Sequence, residues 1–364
     1  MVEGAALGYP ARMAPRAGDG GRGPVRGSLE RFRTEVRLRA QARVSDTVMR
    51  AVAQAARLHP LANPERHQVD VIRDVPYLDD GLVDHRLDIY RPTGHTGPRP
   101  IVMYVHGGGF SLLSKDTHWV MALVYARYGY LVFNISYRLA PRHPFPAAIV
   151  DTLAAYEWVV ANAASMGGDL SRLVVAGESA GANLVTALSL ATCYRRPESW
   201  ARRAFDLGVT PRVAVPACGI FQVSDAGRFA RRRRLPYVVR MTLEDVASCY
   251  LRGCDLSTPG AIDMADPLLV LERGEPPERP LPAFFLPVGT RDPLLDDTRR
   301  MRRALEHLGV PVQAHYYRGE MHAFHALVFR ERARDCWADI FAFLEQHLRA
   351  GAAPGQPGSG ESAA

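Results

Sequence analysis

From Val69 onward the chain alternates between short apolar runs and longer amphipathic stretches. The runs Val69–Leu78, His85–Tyr90, Ile101–Val105, Leu131–Ile135, Leu173–Gly177, Arg212–Ala217, Ala283–Val288 and Val312–Tyr317 have the length and apolar character of strands. After the third run, helical patterns separate them, over about Asp116–Tyr128, Ala147–Ala164, Ser179–Arg195, Asp296–Leu308 and Glu331–Leu348. Strands crowded at the start and then alternating with helices predict an α/β protein. Its eight-stranded sheet should be mixed but mostly parallel, with helices on both faces.

The flanks have other textures. Residues 1–27 are rich in Gly, Ala, Pro and Arg without apolar periodicity, and read as a disordered tail, as do residues 351–364. Between them and the strands, Leu29, Phe32, Val36, Leu38, Val44, Val48, Val52 and Leu58 mark a helical stretch that Pro60 and Pro64 end. Residues 28–66 are therefore an N-terminal helical cap segment, ahead of the main α/β domain over 67–350. The alternation breaks once more between the sixth and seventh strands, with a helical stretch near Thr242–Leu251. An insertion there, about 225–262, falls above the strand ends, where ligands bind in open α/β sheets, and with 28–66 predicts a helical cap or lid.

Composition changes this picture little. With 364 residues and 47% apolar content the chain can bury a large core. Its net charge of +7 comes almost wholly from arginine, Lys115 being the only lysine. The basic residues are spread along the chain and line no single helix, which argues against nucleic-acid binding. The one basic cluster, Arg231–Arg234, reads as a solvated loop, with an anionic substrate or membrane surface as the lesser alternative. Five cysteines (193, 218, 249, 254 and 336) contain no Cys-x-x-Cys and suit neither a zinc site nor a disulfide framework, but fit a reducing compartment. There is no apolar span long enough to cross a membrane and no secretion signal, so the expected location is cytoplasmic.

The chemistry concentrates at Gly177-Glu178-Ser179-Ala180-Gly181, a Gly-x-Ser-x-Gly between a predicted strand and a predicted helix. Such a turn holds the serine hydroxyl clear of the sheet, and the helix behind it points free N–H groups at developing negative charge. The bland alternative is a Gly/Ser turn with no role. Eight strands with a nucleophile turn after the fifth is the layout of the α/β-hydrolase fold.

A second glycine run, His106-Gly107-Gly108-Gly109-Phe110, follows the strand Ile101–Val105 and can offer backbone amides to an oxyanion. A phosphate cradle is the competing use, but the Gly-Lys-Ser/Thr ending is missing. The serine needs a base and the base a carboxylate, in the order Ser, Asp/Glu, His in this fold. Asp292 follows the strand Ala283–Val288, and His322 follows Val312–Tyr317. Asp296 and Asp297 start the next helix and read as caps or surface charge. His325 reads as packing or solvent-facing, and His59, His118, His143, His307 and His315, without metal-like partners, read as structural or surface residues.

These motifs, with Tyr137-Arg138-Leu139-Ala140-Pro141, His143-Pro144-Phe145-Pro146-Ala147-Ala148, Asp292-Pro293-Leu294 and His322-Ala323-Phe324, resemble the hormone-sensitive lipase family of α/β-hydrolase esterases over roughly residues 70–350. The resemblance implies hydrolysis of short- to medium-chain carboxylic esters, with no cofactor or metal and a small-molecule ester as partner. It implies Ser179 as nucleophile, His322 as general base and Asp292 as its orienter. Gly108, Gly109 and Ala180 would supply the oxyanion-hole amides, and His106 would brace the glycine loop. The chain departs from the family pattern at Glu178, where Asp is usual, at Ala182, where Gly is common, and at Arg142, where Glu is common. An amidase or arylformamidase on the same triad, or a non-catalytic binder of the same fold, are the alternatives. The sequence leaves the oligomeric state, a homodimer among the options, open.

Overall fold

The computed structural model describes residues 46–94, 97–232 and 235–349. The two predicted tails and the first part of the N-terminal helical segment, 28–45, lie outside the described residues, as do Arg233 and Arg234. Eight strands form one sheet in the order β1-β2-β4-β3-β5-β6-β7-β8. They are β1 (Val69–Pro76), β2 (Arg86–Pro92), β3 (Arg99–Val105), β4 (Leu131–Ile135), β5 (Gly168–Glu178), β6 (Val213–Ala217), β7 (Ala283–Gly289) and β8 (Val312–Tyr317). β2 runs antiparallel to both β1 and β4, and every later pairing is parallel.

Side-chain alternation divides each central strand between two cores. Ile101, Met103 and Val105 of β3, with Leu173 and Val175 of β5, face a core closed by α3 (Ala147–Asn162), α4 (Ala180–Cys193) and α9 (Leu295–His307). Val102, Tyr104, Val174 and Ala176 face the opposite core, closed by α2 (Trp119–Arg127) and α10 (Glu331–Leu348). Burial on both faces explains why β6 and β7 read as unbroken apolar runs and why β4 is apolar except for the buried Asn134.

Three helices were not among those expected: α5 (Ser199–Asp206), α6 (Arg228–Arg232) and α8 (Pro267–Glu272). α6 corrects the expectation of a loop through the arginine cluster, at least as far as Arg232. There Arg228 turns inward to a buried carboxylate, while Arg231 pairs at the surface with Asp225. The helix predicted near Thr242–Leu251 starts earlier, as α7 (Tyr237–Tyr250). α1, over residues 46–57, is tied to the body by Trp119 Nε1, which donates to the Ala53 carbonyl at 3.2 Å. Asp46 adds a second tie, accepting from the Leu113 amide at 2.8 Å.

Candidate active site

The parallel register gathers the strand ends on one rim. Val105 of β3 stands opposite Gly177 of β5, Glu178 opposite Ala217 of β6, and Gly289 of β7 opposite Tyr317 of β8. His106–Phe110, Ser179 and Cys218 follow these pairs directly, and Asp292 and His322 lie three and five residues past Gly289 and Tyr317. Residues remote in sequence thus share one edge because their strands end level.

At the turn after β5, Ser179 has φ 54° and ψ −113°, a left-handed conformation that costs a non-glycine residue about 1–3 kcal/mol. Close packing imposes it. A Cβ on Gly181 would lie 2.1 Å from the Val105 carbonyl oxygen, and one on Gly177 would lie 2.7 Å from the Gly181 backbone. The strand and helix meet with no room for a side chain at either glycine. Ser179 makes no capping bond to α4, so its hydroxyl is not committed to the helix. Its backbone is anchored to the neighbouring strand end, where the Ser179 amide donates to the Ala217 carbonyl at 2.9 Å.

His322 Nδ1 lies 2.9 Å from Asp292 Oδ2, and the other carboxylate oxygen of Asp292 accepts from the Leu294 amide at 2.8 Å. Asp292 is fully buried, whereas about a third of the His322 side chain is exposed, 35%. An acceptor on Nδ1 places the ring proton there and leaves Nε2 with a free lone pair. Burial of the ring pulls the imidazole pKa down, but the Cys218 thiol and Asp292 outweigh it and hold it well above the ordinary value. Asp292 is the permanent part of that elevation, because burial pushes the Cys218 thiol up and keeps it neutral at ordinary pH.

Asp297 corrects the reading of a cap or surface charge. It is fully buried and accepts from the Phe221 amide at 2.9 Å and the Gln222 amide at 3.2 Å. Arg228 also reaches it, with Nε 3.1 Å from Oδ1. This carboxylate pins the loop after β6 and the insertion's first helix to α9. Asp296 is partly exposed and lies 3.7 Å from Arg299.

Behind the serine sits a polar cluster that sequence reasoning missed. Glu178 Oε1 bonds His118 Nε2 at 2.8 Å, and His325 Nε2 stands 3.3 Å from Oε2. All three side chains are buried, which rules out the surface alternative for His118 and the solvent-facing one for His325 and leaves the structural and packing roles. Burial raises the Glu178 pKa, yet the two imidazoles outweigh it and bring it to about 2, so the carboxylate is ionised. A Cβ on Gly107 would touch Glu178 at 3.0–3.3 Å, so the carboxylate also packs under the glycine loop. His118 is 60 residues from Glu178, and no linear signal joins them.

The glycine loop is braced from beneath. His106 is fully buried, stacks on Tyr137 with centroids 4.2 Å apart, and has Nδ1 2.7 Å from the Gly107 carbonyl. Burial lowers its pKa to about 3, so the ring is neutral and Nδ1 donates. Gly108 and Gly109 have φ of 107° and 58°, and the Gly108 carbonyl takes up the Ser111 and Leu112 amides at 3.1 and 3.0 Å. Ala180 opens α4, so its N–H has no partner within that helix. From above, Val246 of α7 leaves no room for a Cβ on Gly109, at 2.6 Å, and Tyr250 stacks on Phe110 at 3.7 Å.

Against known proteins, the family described as alpha/beta hydrolase fold matches residues 102–326. Carboxylesterase NlhH of Mycobacterium tuberculosis (strain H37Rv) is 33% identical over 237 residues, 64% of this chain and 69% of its own length. Esterase LipI of the same organism is 31% identical over 287 residues, covering 77% of this chain and 82% of its own. Among solved structures, esterase LipW from Mycobacterium marinum matches with a TM-score of 0.67 at 26% identity, over 85% of this chain and 90% of that one. Among the described residues no helix is long and apolar enough to cross a membrane.

Proposed function

The chain belongs to the α/β-hydrolase family, to its hormone-sensitive lipase type, and is an ester hydrolase; on that premise we propose a serine mechanism acting on short- to medium-chain acyl esters. Ser179 is the nucleophile, His322 the general base and then acid, and Asp292 the orienter. The amides of Gly108, Gly109 and Ala180 form the oxyanion hole. The observation that carries this reading is the buried Asp292 held 2.9 Å from His322 Nδ1, on the rim that also presents Ser179.

The steps follow from that arrangement. His322 Nε2 takes the Ser179 proton as the hydroxyl oxygen bonds the ester carbonyl carbon. The carbonyl electron pair moves to oxygen, where the backbone amides meet it without reorganising. The pair returns, the bond to the alkoxy oxygen breaks, and His322 gives that oxygen the proton, releasing the alcohol. Water then repeats the sequence on the acyl-enzyme and frees the acid. Glu178 and His106 act indirectly, holding the glycine loop and the His322 loop against the turn.

Residues 28–66 and 225–262 are proposed as the cap that sets acyl length. Supporting this, Val246 and Tyr250 crowd the glycine loop, and Asp46 holds the Leu113 amide just past it. A fluorophosphonate probe should label the wild type and not Ser179→Ala, and equal labelling would refute the nucleophile. In a p-nitrophenyl ester series, Val246→Ala should move the preferred chain length upward. An unchanged profile would remove the insertion from the specificity argument, and faster cleavage of matched amides would favour an amidase.

A further inference from the structure

We propose that Cys218, His322 and Asp292 together bind a thiophilic divalent cation, Zn²⁺ in the first instance, and that its binding switches ester hydrolysis off. The inhibitory part rests on His322 being the general base; the binding part does not. One ligating atom from each residue, a thiol sulfur, an imidazole nitrogen and a carboxylate oxygen, all lie within 4.8 Å of one another. Tetrahedral zinc, with Zn–S near 2.3 Å and Zn–N or Zn–O near 2.0–2.1 Å, needs such atoms roughly 3.3–3.6 Å apart. His322 Nδ1 and Asp292 Oδ2 are already 2.9 Å apart, so a slight opening of that pair and an inward move of the sulfur by about 1 Å, within the reach of side-chain rotation, would close three ligands on one ion.

The thiol is held there by backbone. Cys218 has φ 40°, a left-handed conformation for a side-chain-bearing residue, and its amide donates to the Pro287 carbonyl of β7 at 3.0 Å. This places a buried sulfur within 4.8 Å of an imidazole nitrogen. The hydrolytic steps above make no use of that sulfur. A thiolate with an imidazole and one carboxylate is a donor set for Zn²⁺ or Cd²⁺, and a poor one for Mg²⁺ or Ca²⁺, which select oxygen. The exposed edge of His322 gives an ion a way in, and leaves a fourth position for water.

Binding replaces the Cys218 S–H bond with a sulfur–metal bond and releases that proton to solvent. The ring proton moves from Nδ1 to Nε2, the freed Nδ1 lone pair goes to the metal beside Asp292, and an Nε2 that carries a proton can no longer accept the one from Ser179. The three residues follow three different strands, so no Cys/His spacing in the chain announces the site. Among the described residues, this is the group of three such side chains drawn close enough to share an ion.

The test uses metal-stripped, tag-free, full-length protein. Zn²⁺ should inhibit ester hydrolysis by the wild type, reversibly with a chelator. In Cys218→Ala and Cys218→Ser the half-inhibiting concentration should rise by more than about 100-fold, since loss of even an outer-sphere partner typically costs 10–100-fold. Separately, Cd²⁺ titrated into Ser179→Ala should raise the ultraviolet thiolate-to-metal absorption, and the same titration into Ser179→Ala/Cys218→Ala should not. That arm needs no catalysis, so the site and the catalytic reading can fail independently. Equal Zn²⁺ sensitivity in wild type and both Cys218 variants would overturn the proposal. So would a Cd²⁺ band that persists without Cys218, which would place the ion on another thiol. The near-isosteric Cys218→Ser carries the test if the alanine variant does not fold.

Discussion

Asp292 and Asp297 are both fully buried carboxylates after β7, yet their replacement by asparagine should fail in opposite ways. Asp297→Asn keeps the shape but removes the charge facing Arg228, whose side chain is only 8% exposed. Removing one partner of a buried ion pair costs about 3–5 kcal/mol, because the other charge stays in place unpaired. With an unfolding entropy of about 2.1 cal/mol/K per residue, a domain of roughly 300 residues loses about 1.6 °C in Tm per kcal/mol. The expected drop is therefore about 5–8 °C. At 25 °C the folded variant should keep kcat within severalfold of wild type, since Asp297 bonds the 221–222 loop and not His322. Asp292→Asn should instead lower kcat on the order of 10⁴-fold by offering Nδ1 the wrong partner, as the same change does in serine proteases. Differential scanning calorimetry beside steady-state kinetics reads both. If Asp297→Asn lost activity as steeply as Asp292→Asn with its Tm unchanged, the assignment of roles would be reversed.

Three further outcomes are expected. Gly181→Ala should fail to accumulate as soluble protein or lose several kcal/mol in urea unfolding, because its Cβ would sit 2.1 Å from backbone that cannot move aside; near-native stability would mean that the strand and helix can separate. kcat/KM for a small ester should rise with pH through a midpoint above the ordinary imidazole value, since His322 must be neutral to act and its pKa is held up; in residual Asp292→Asn activity that midpoint should move to lower pH. For stability, an unfolded His106 takes up a proton near pH 6.5, while the buried ring refuses it until about 3. Native stability should thus fall on acidification below about pH 6.5, by up to 1.4 kcal/mol per pH unit from this residue. Glu178, depressed to about 2, adds its own loss only below about pH 4.5. Urea midpoints at pH 7.5 and 5.5 should differ accordingly, and His106→Gln should flatten the difference.

Much of the architecture was legible in one dimension. β4, β8 and α10 fall on the predicted bounds because each is a run whose length and periodicity admit one reading. The α/β-hydrolase layout follows from strand and helix order, and the positions of Ser179, Asp292 and His322 after their strands follow from motif and order alone. What the chain could not show is contact between residues that share no local pattern. Glu178 gathers His118 and His325 because three separate segments converge behind the turn, and each histidine by itself looks like an ordinary structural or surface residue. Asp297 looked like a helix-start charge because α6, which carries its partner Arg228, has no apolar period to reveal it. Cys218 carries no signature at all. Its place beside His322 comes from β6, β7 and β8 ending level in a parallel sheet, and register between strands is decided only when the whole sheet packs.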